Sequence, residues 1–118
     1  MDTKTRRELE NKLCSLIDNY FNNTLNLDGV SVRFSKYDFQ YPYTANPYCN
    51  YRGYSCDPQI DANDSMKLNE FKKAVRLLLK QYGFTKVRFE FDNKKIHYGY
   101  VSGPDDFPVK ILRYIMFS

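Results

Sequence analysis

Glu90, His97 and Arg88 supply the three side-chain types that metal-independent RNA cleavage needs, and His97 is the single histidine in the chain. A carboxylate and an imidazole can act as base and acid toward a ribose 2′-hydroxyl and a leaving oxygen. A guanidinium can stabilise the charge that builds on phosphorus. The surrounding pattern predicts that they meet. Lys86-Val87-Arg88-Phe89-Glu90-Phe91 and Ile96-His97-Tyr98-Gly99-Tyr100-Val101 both alternate apolar with polar, separated by a turn-like Asp92-Asn93-Lys94-Lys95. Matching the apolar faces sets Phe91 opposite Ile96, Phe89 opposite Tyr98 and Val87 opposite Tyr100. Glu90 then faces His97, and Arg88 faces Gly99 within diagonal reach of His97. The plainer reading is an exposed cross-strand ion pair, worth about 0–1 kcal/mol. A ribonuclease therefore ranks third, with Glu90, His97 and Arg88 as its candidates, and no residue is assigned a catalytic role.

Metal and cofactor chemistry finds less support. Cys14, Cys49 and Cys56 are an odd number without a CxxC pair, which fits a reducing compartment and gives cytoplasm as the expected location. A Cys49–Cys56 bridge is open to the geometry, but adding His97 to the three thiols matches no zinc spacing. Asp57, Asp61 and Asp64 are spaced as a turn followed by a helix cap and lack the density of a calcium loop. With five glycines in the chain, no phosphate-binding loop, nucleophile elbow or dinucleotide fingerprint is formed. No metal and no cofactor is expected.

Aromatic content points instead to binding. The chain has eleven Tyr and nine Phe, and Tyr37, Tyr41, Tyr43, Tyr48, Tyr51 and Tyr54 fall within eighteen residues. Tyrosine offers large contact area with only two side-chain torsions, so it is enriched in recognition loops. Tyr41, Tyr43, Tyr48, Tyr51, Arg52 and Tyr54 are the candidate anchors, and the competing reading is that these rings fold back as structural cover. Residues 37–61 carry a net charge of −2. Base stacking needs phosphate neutralisation alongside, so that sign favours a protein partner over nucleic acid.

The positive charge lies elsewhere: residues 62–100 carry a net +5 of the chain's +4 total. Lys72, Lys73, Arg76 and Lys80, with Lys67 nearby, project from a predicted helix whose buried stripe is Leu68, Phe71, Val75, Leu78, Leu79 and Tyr82. Asn63, Asp64 or Ser65 caps it, and Gly83 follows its end. This basic face can steer the protein toward an acidic target or dock on phosphates. The competing role is a solvated face that keeps a small protein soluble.

The remaining elements are supports. Leu9, Leu13, Leu16, Ile17, Tyr20 and Leu25 space an amphipathic helix over residues 3–26, capped by Thr3 or Thr5 and stopped by Asn26, Asp28 and Gly29. Val30, Val32 and Phe34 alternate as the inner face of a strand. Residues 37–61, with Pro42, Pro47, Gly53 and Pro58, read as a long loop, partly strand-like near Tyr37–Tyr43. Val109 to Phe117 is apolar enough for burial on both faces, favouring a strand over a short helix.

The order is α-β-loop-α-β-β-(β or short α). It gives an α+β class, with two amphipathic helices on one face of a small, mainly antiparallel sheet. At 118 residues one domain over 1–118 is expected. No apolar run approaches the roughly 20 residues that span a bilayer, and the opening MDTKTRRELE is polar, so a protein neither membrane-spanning nor secreted is expected.

The first expectation is a small non-enzymatic binding protein that docks on a protein target through the Tyr-rich loop and the basic helix. Its asparagine, lysine and tyrosine content suits AT-rich coding and hence a phage or mobile-element inhibitor or adaptor. The second is a nucleic-acid-binding protein combining the basic helix with aromatic stacking. Oligomeric state is not encoded in any pattern recognised in the sequence.

Overall fold

The computed structural model describes residues 1–21, 31–35, 41–48, 58–96 and 107–118. Among these the chain forms α1 (Thr3–Tyr20), β1 (Ser31–Ser35), β2 (Tyr43–Tyr48), β3 (Gln59–Asp61), α2 (Ser65–Gln81), β4 (Val87–Ile96) and β5 (Phe107–Phe117). The class is α+β, as expected. All strand pairs are antiparallel: β5 is central, with β2 and β3 against one of its edges and β4 along the other, while β1 pairs with β2.

Helix α1 buries Leu9, Leu13 and Ile17. Its cap is Asp2, one residue ahead of the expected Thr3, with the carboxylate accepting from the Thr5 N–H at 2.7 Å. Phe21 takes extended backbone angles and turns its ring into the core, so the helix stops short of the predicted residue 26. Arg6 fastens α1 to β1 by donating to the Phe34 carbonyl at 2.6 Å. Val32 and Phe34 are buried as their alternation requires.

The long loop is corrected in two places. Tyr43–Tyr48 is strand β2 and Gln59–Asp61 is strand β3. Pro47 is tolerated because β2 pairs with β5 only over Tyr43–Ala45. At Pro47 only the edge facing Val32 of β1 is occupied, and a missing N–H costs little on the other side.

Helix α2 follows its prediction closely. Asp64 caps it by accepting from the Lys67 N–H at 3.0 Å, Leu68, Phe71, Val75 and Leu79 are buried, and Gly83 adopts a φ of +88° just past the end.

The predicted hairpin turn is overturned. Asp92, Asn93, Lys94 and Lys95 continue β4, which pairs along its whole length with β5, so Phe91 lies opposite Leu112 and Ile96 opposite Phe107. An eleven-residue apolar partner can hold all ten residues of β4. The polar end is fastened by Arg113 donating to Asp92 at 2.6 Å and Lys110 donating to Asn93 at 3.1 Å.

Strand β5 is buried on both faces, as its composition predicts. A register shift opposite Glu90/Phe91 leaves Arg113 as the extra residue of a bulge. Leu112, Ile115 and Phe117 therefore all join the core beneath the helices. Val109 and Ile111 form a separate buried cluster, which the alternation places on the opposite face.

Candidate functional site

The structure separates the sequence-derived candidates into three groups. In the first, Arg88 and Glu90 are two residues apart on one side of β4 and bond directly, Nη2 to Oε1, at 2.7 Å. Glu90 lies opposite Tyr114 and Arg88 opposite Met116, so the pairing that set Glu90 against His97 and Arg88 against Gly99 is replaced. His97 and Gly99 lie outside the described residues. What is described is an exposed ion pair.

The tyrosines form the second group. Tyr43 is half-buried, with its ring stacked on Phe117 (5.5 Å, 17°) and edge-on to Phe84 (5.4 Å, 64°). It packs against the core as a partly buried ring. Tyr41 is half-buried just ahead of β2, and the backbone of Tyr48 pairs with Ser31 of β1. Tyr37, Tyr51, Arg52 and Tyr54 lie outside the described residues, as do Cys49, Cys56 and Asp57. Asp61 and Asp64 have the turn and cap roles expected of them: Asp61 accepts from the Asn63 N–H at 2.8 Å, and Asp64 caps α2. Among the described residues no three His, Cys, Asp or Glu side chains cluster to hold a metal. Cys14 is partly buried on α1, and that burial raises its thiol pKa.

The third group, on α2, is the one that assembles. Lys73, Arg76 and Lys80 are exposed and Lys72 is half-buried. The Lys72 ammonium sits over Phe89 and Phe91 (5.9 and 5.6 Å), and the Arg76 guanidinium sits over Phe89 (5.4 Å). Both rings come from β4 and pack against the core beside Phe71 and Phe21. The two cations are thus held at the flank of the helix by ring contacts each worth about 0.5–1 kcal/mol at exposed positions.

Along the outermost line of α2 the sequence reading missed two residues. Met66 is 74% exposed and Leu77 is 63% exposed. With 100° per residue, positions 66, 70, 73, 77 and 80 share the side diametrically opposite Leu68, Phe71, Val75 and Leu79. Plotting the whole helix, and not only its buried stripe, would have found them. The result is a solvent-facing row of Met66, Glu70, Lys73, Leu77 and Lys80: two apolar side chains set among cations, with one carboxylate.

No described helix is long and apolar enough to cross a membrane. The fold and this surface define a small α+β protein with a basic, apolar-studded helix face. Comparison with protein-family models, with curated proteins and with solved structures finds no match.

Proposed function

We propose that this chain is a non-enzymatic binding protein that docks on an acidic protein surface through the outward face of α2, in the manner of an inhibitor or adaptor. The observation that carries this reading is the exposed row of Met66, Lys73, Leu77 and Lys80. Met66 and Leu77 bury little of their apolar surface within the fold. Ringed by cations, they suit a partner that offers an apolar recess with a carboxylate rim, where burial supplies affinity and charge supplies steering.

A nucleic-acid reading draws on the nearness of Lys72 and Arg76 to Phe89 and Phe91. It ranks second because those rings are already engaged: Phe89 carries both cations, and Phe91 lies nearly parallel to Phe89 and to Phe21. A base would have to displace these contacts to stack.

The test is capture from a native-host lysate, with and without nuclease, by the wild type, by Leu77→Ala and by a Lys73→Glu/Lys80→Glu variant. A protein retained after nuclease and lost with both variants is the expected outcome. Loss on nuclease treatment transfers the surface to nucleic acid, and a partner indifferent to both variants removes α2 from the interface.

A further inference from the structure

We propose that two copies of this chain pair through the outer edge of β4, antiparallel and about a twofold axis at Phe89, so that their sheets join into one. The hydrogen-bond alternation within β4 and β5 decides which residues are free to do so. Lys86 exchanges both backbone bonds with Ser118, at 3.1 and 3.0 Å. Lys86, Arg88 and Glu90 therefore turn their N–H and C=O groups toward β5, and Val87, Phe89 and Phe91 turn theirs outward. Among the described residues no strand pairs with that outer edge. A ten-residue strand with one bonded edge is a ready template for another chain.

The charges choose the chain and the register. On the side of β4 away from the helices, Lys86, Arg88, Glu90 and Asp92 follow at every second position, two cations and then two carboxylates. An antiparallel second copy with its Phe89 opposite Phe89 sets its Glu90 against Arg88 and its Asp92 against Lys86, and the reverse on the other side of the axis. The Arg88–Glu90 bond at 2.7 Å and the Arg113–Asp92 bond at 2.6 Å are both exposed, so these groups can extend into a joint network.

The neighbouring registers fail, and centring on Asn93 keeps only the Asp92–Lys94 pairing, short of the two different ion pairs gained at Phe89. Centring on Phe91 opposes Arg88 to Lys94, centring on Val87 opposes Arg88 to Lys86, and centring on Arg88 or Glu90 opposes a residue to its own charge. Like charges directly opposite one another disfavour pairing.

Backbone parity, which owes nothing to the charges, allows axes on the outward-turned residues, and Phe89 is one of them. About Phe89, the outward groups of Val87, Phe89 and Phe91 meet those of the second copy's Phe91, Phe89 and Val87. The ion pairs then fall at the intervening positions where cross-strand side chains approach most closely. On the helix side, the half-buried Phe89 and Phe91 gain cover from Phe89 and Val87 of the second copy. Lys72 and Arg76 of the two copies approach this axis and repel, but each is already held over a ring, and salt at physiological strength screens their repulsion beyond about 8 Å.

The experiment is equilibrium sedimentation over a concentration series, paired with amide hydrogen exchange. Wild type should shift from one chain mass to two, and Arg88→Glu should weaken that association at least tenfold, by about 1.4 kcal/mol or more. Arg88→Glu/Glu90→Arg restores every opposite-charge pairing and should recover dimerisation. At concentrations below the association range all three proteins should keep the same urea midpoint, because these side chains are exposed in the single chain. Amides of Val87, Phe89 and Phe91 should exchange more slowly as concentration rises, while those of Arg88 and Glu90 should not respond. A single-chain mass at every concentration, a dimer unaffected by Arg88→Glu, failure of the double exchange to rescue, or concentration-independent exchange at Val87, Phe89 and Phe91 would each overturn the proposal.

Discussion

Replacing Tyr43 by alanine tests whether the first tyrosine of β2 belongs to the fold or to a partner. Its ring stacks on Phe117 at 5.5 Å and meets Phe84 edge-on at 5.4 Å, and Phe117 in turn contacts Phe34. Full truncation of a buried aromatic costs about 3–5 kcal/mol. Tyr43 is half-buried, so its transfer contribution is smaller. The two ring contacts add about 0.5–1.5 kcal/mol each, which gives an expected loss of about 2–3 kcal/mol. That is a large share of the roughly 5–15 kcal/mol by which a domain is stable. Urea unfolding followed by far-UV circular dichroism would show a lower midpoint at unchanged slope, and Tyr43→Phe, which keeps both ring contacts, should recover most of it. A loss within about 0.5 kcal/mol is what an exposed docking residue would give. That result would refute the structural role.

Three further outcomes follow from the caps and the turn. Asp64→Ala should cost about 1 kcal/mol by removing the acceptor for the Lys67 N–H, while Asp64→Asn should cost less, read from the same urea midpoints. Gly83→Ala should cost about 1 kcal/mol through backbone strain alone, since φ is +88° and no atom lies within 4 Å of the added carbon; an unchanged midpoint would contradict this. The Asp2 carboxyl is held below its ordinary value of 3.8 by the Thr5 N–H. The unfolded chain therefore binds the proton more readily, and the cap's contribution is present above pH 3.8 and fades as pH falls through the lowered native value. Melting temperatures taken between about pH 5 and 2 should fall less steeply for Asp2→Ala than for wild type.

What the sequence disclosed depended on how local the determining interactions are. Helix α2 was legible because a three-and-four stripe, an Asp cap and a terminal glycine all lie within twenty residues and agree. Strand β5 was legible through a failed pattern: Val109 to Phe117 alternates poorly because the Arg113 bulge switches which residues face the helices, and both faces are buried. Strands β2 and β3 had no local signal. Tyr43 pairs with Phe117 and Gln59 with Ile111, so their extended form is imposed by a distant strand on segments that contain or adjoin Pro42, Pro47 and Pro58. The turn at Asp92–Lys95 failed for the complementary reason. Its residues favour turns in isolation, but β5 is long enough to hold them extended and supplies Lys110 and Arg113 as partners. Of the candidate site, the cations of α2 were legible as the outward side of an amphipathic pattern. Met66 and Leu77 were missed because apolar residues on the wrong side of a helix do not extend its stripe.

The two proposed surfaces lie on consecutive elements, α2 and β4, and their geometry links them. A twofold axis at Phe89, perpendicular to the joined sheets, leaves the helices of both copies on the same side. The two α2 rows of Lys73, Leu77 and Lys80 would then face one way, side by side, instead of pointing apart. A target with two acidic sites would engage the second row at an effective concentration set by a rigid sheet, which raises overall affinity without any new contact. A monovalent target would gain nothing. Arg88→Glu lies off the α2 face and leaves each row intact, so it should weaken capture of a bivalent target while leaving the affinity for one isolated site unchanged. Equal loss for both kinds of target would mean that β4 itself touches the partner, and the two surfaces would have to be treated as one.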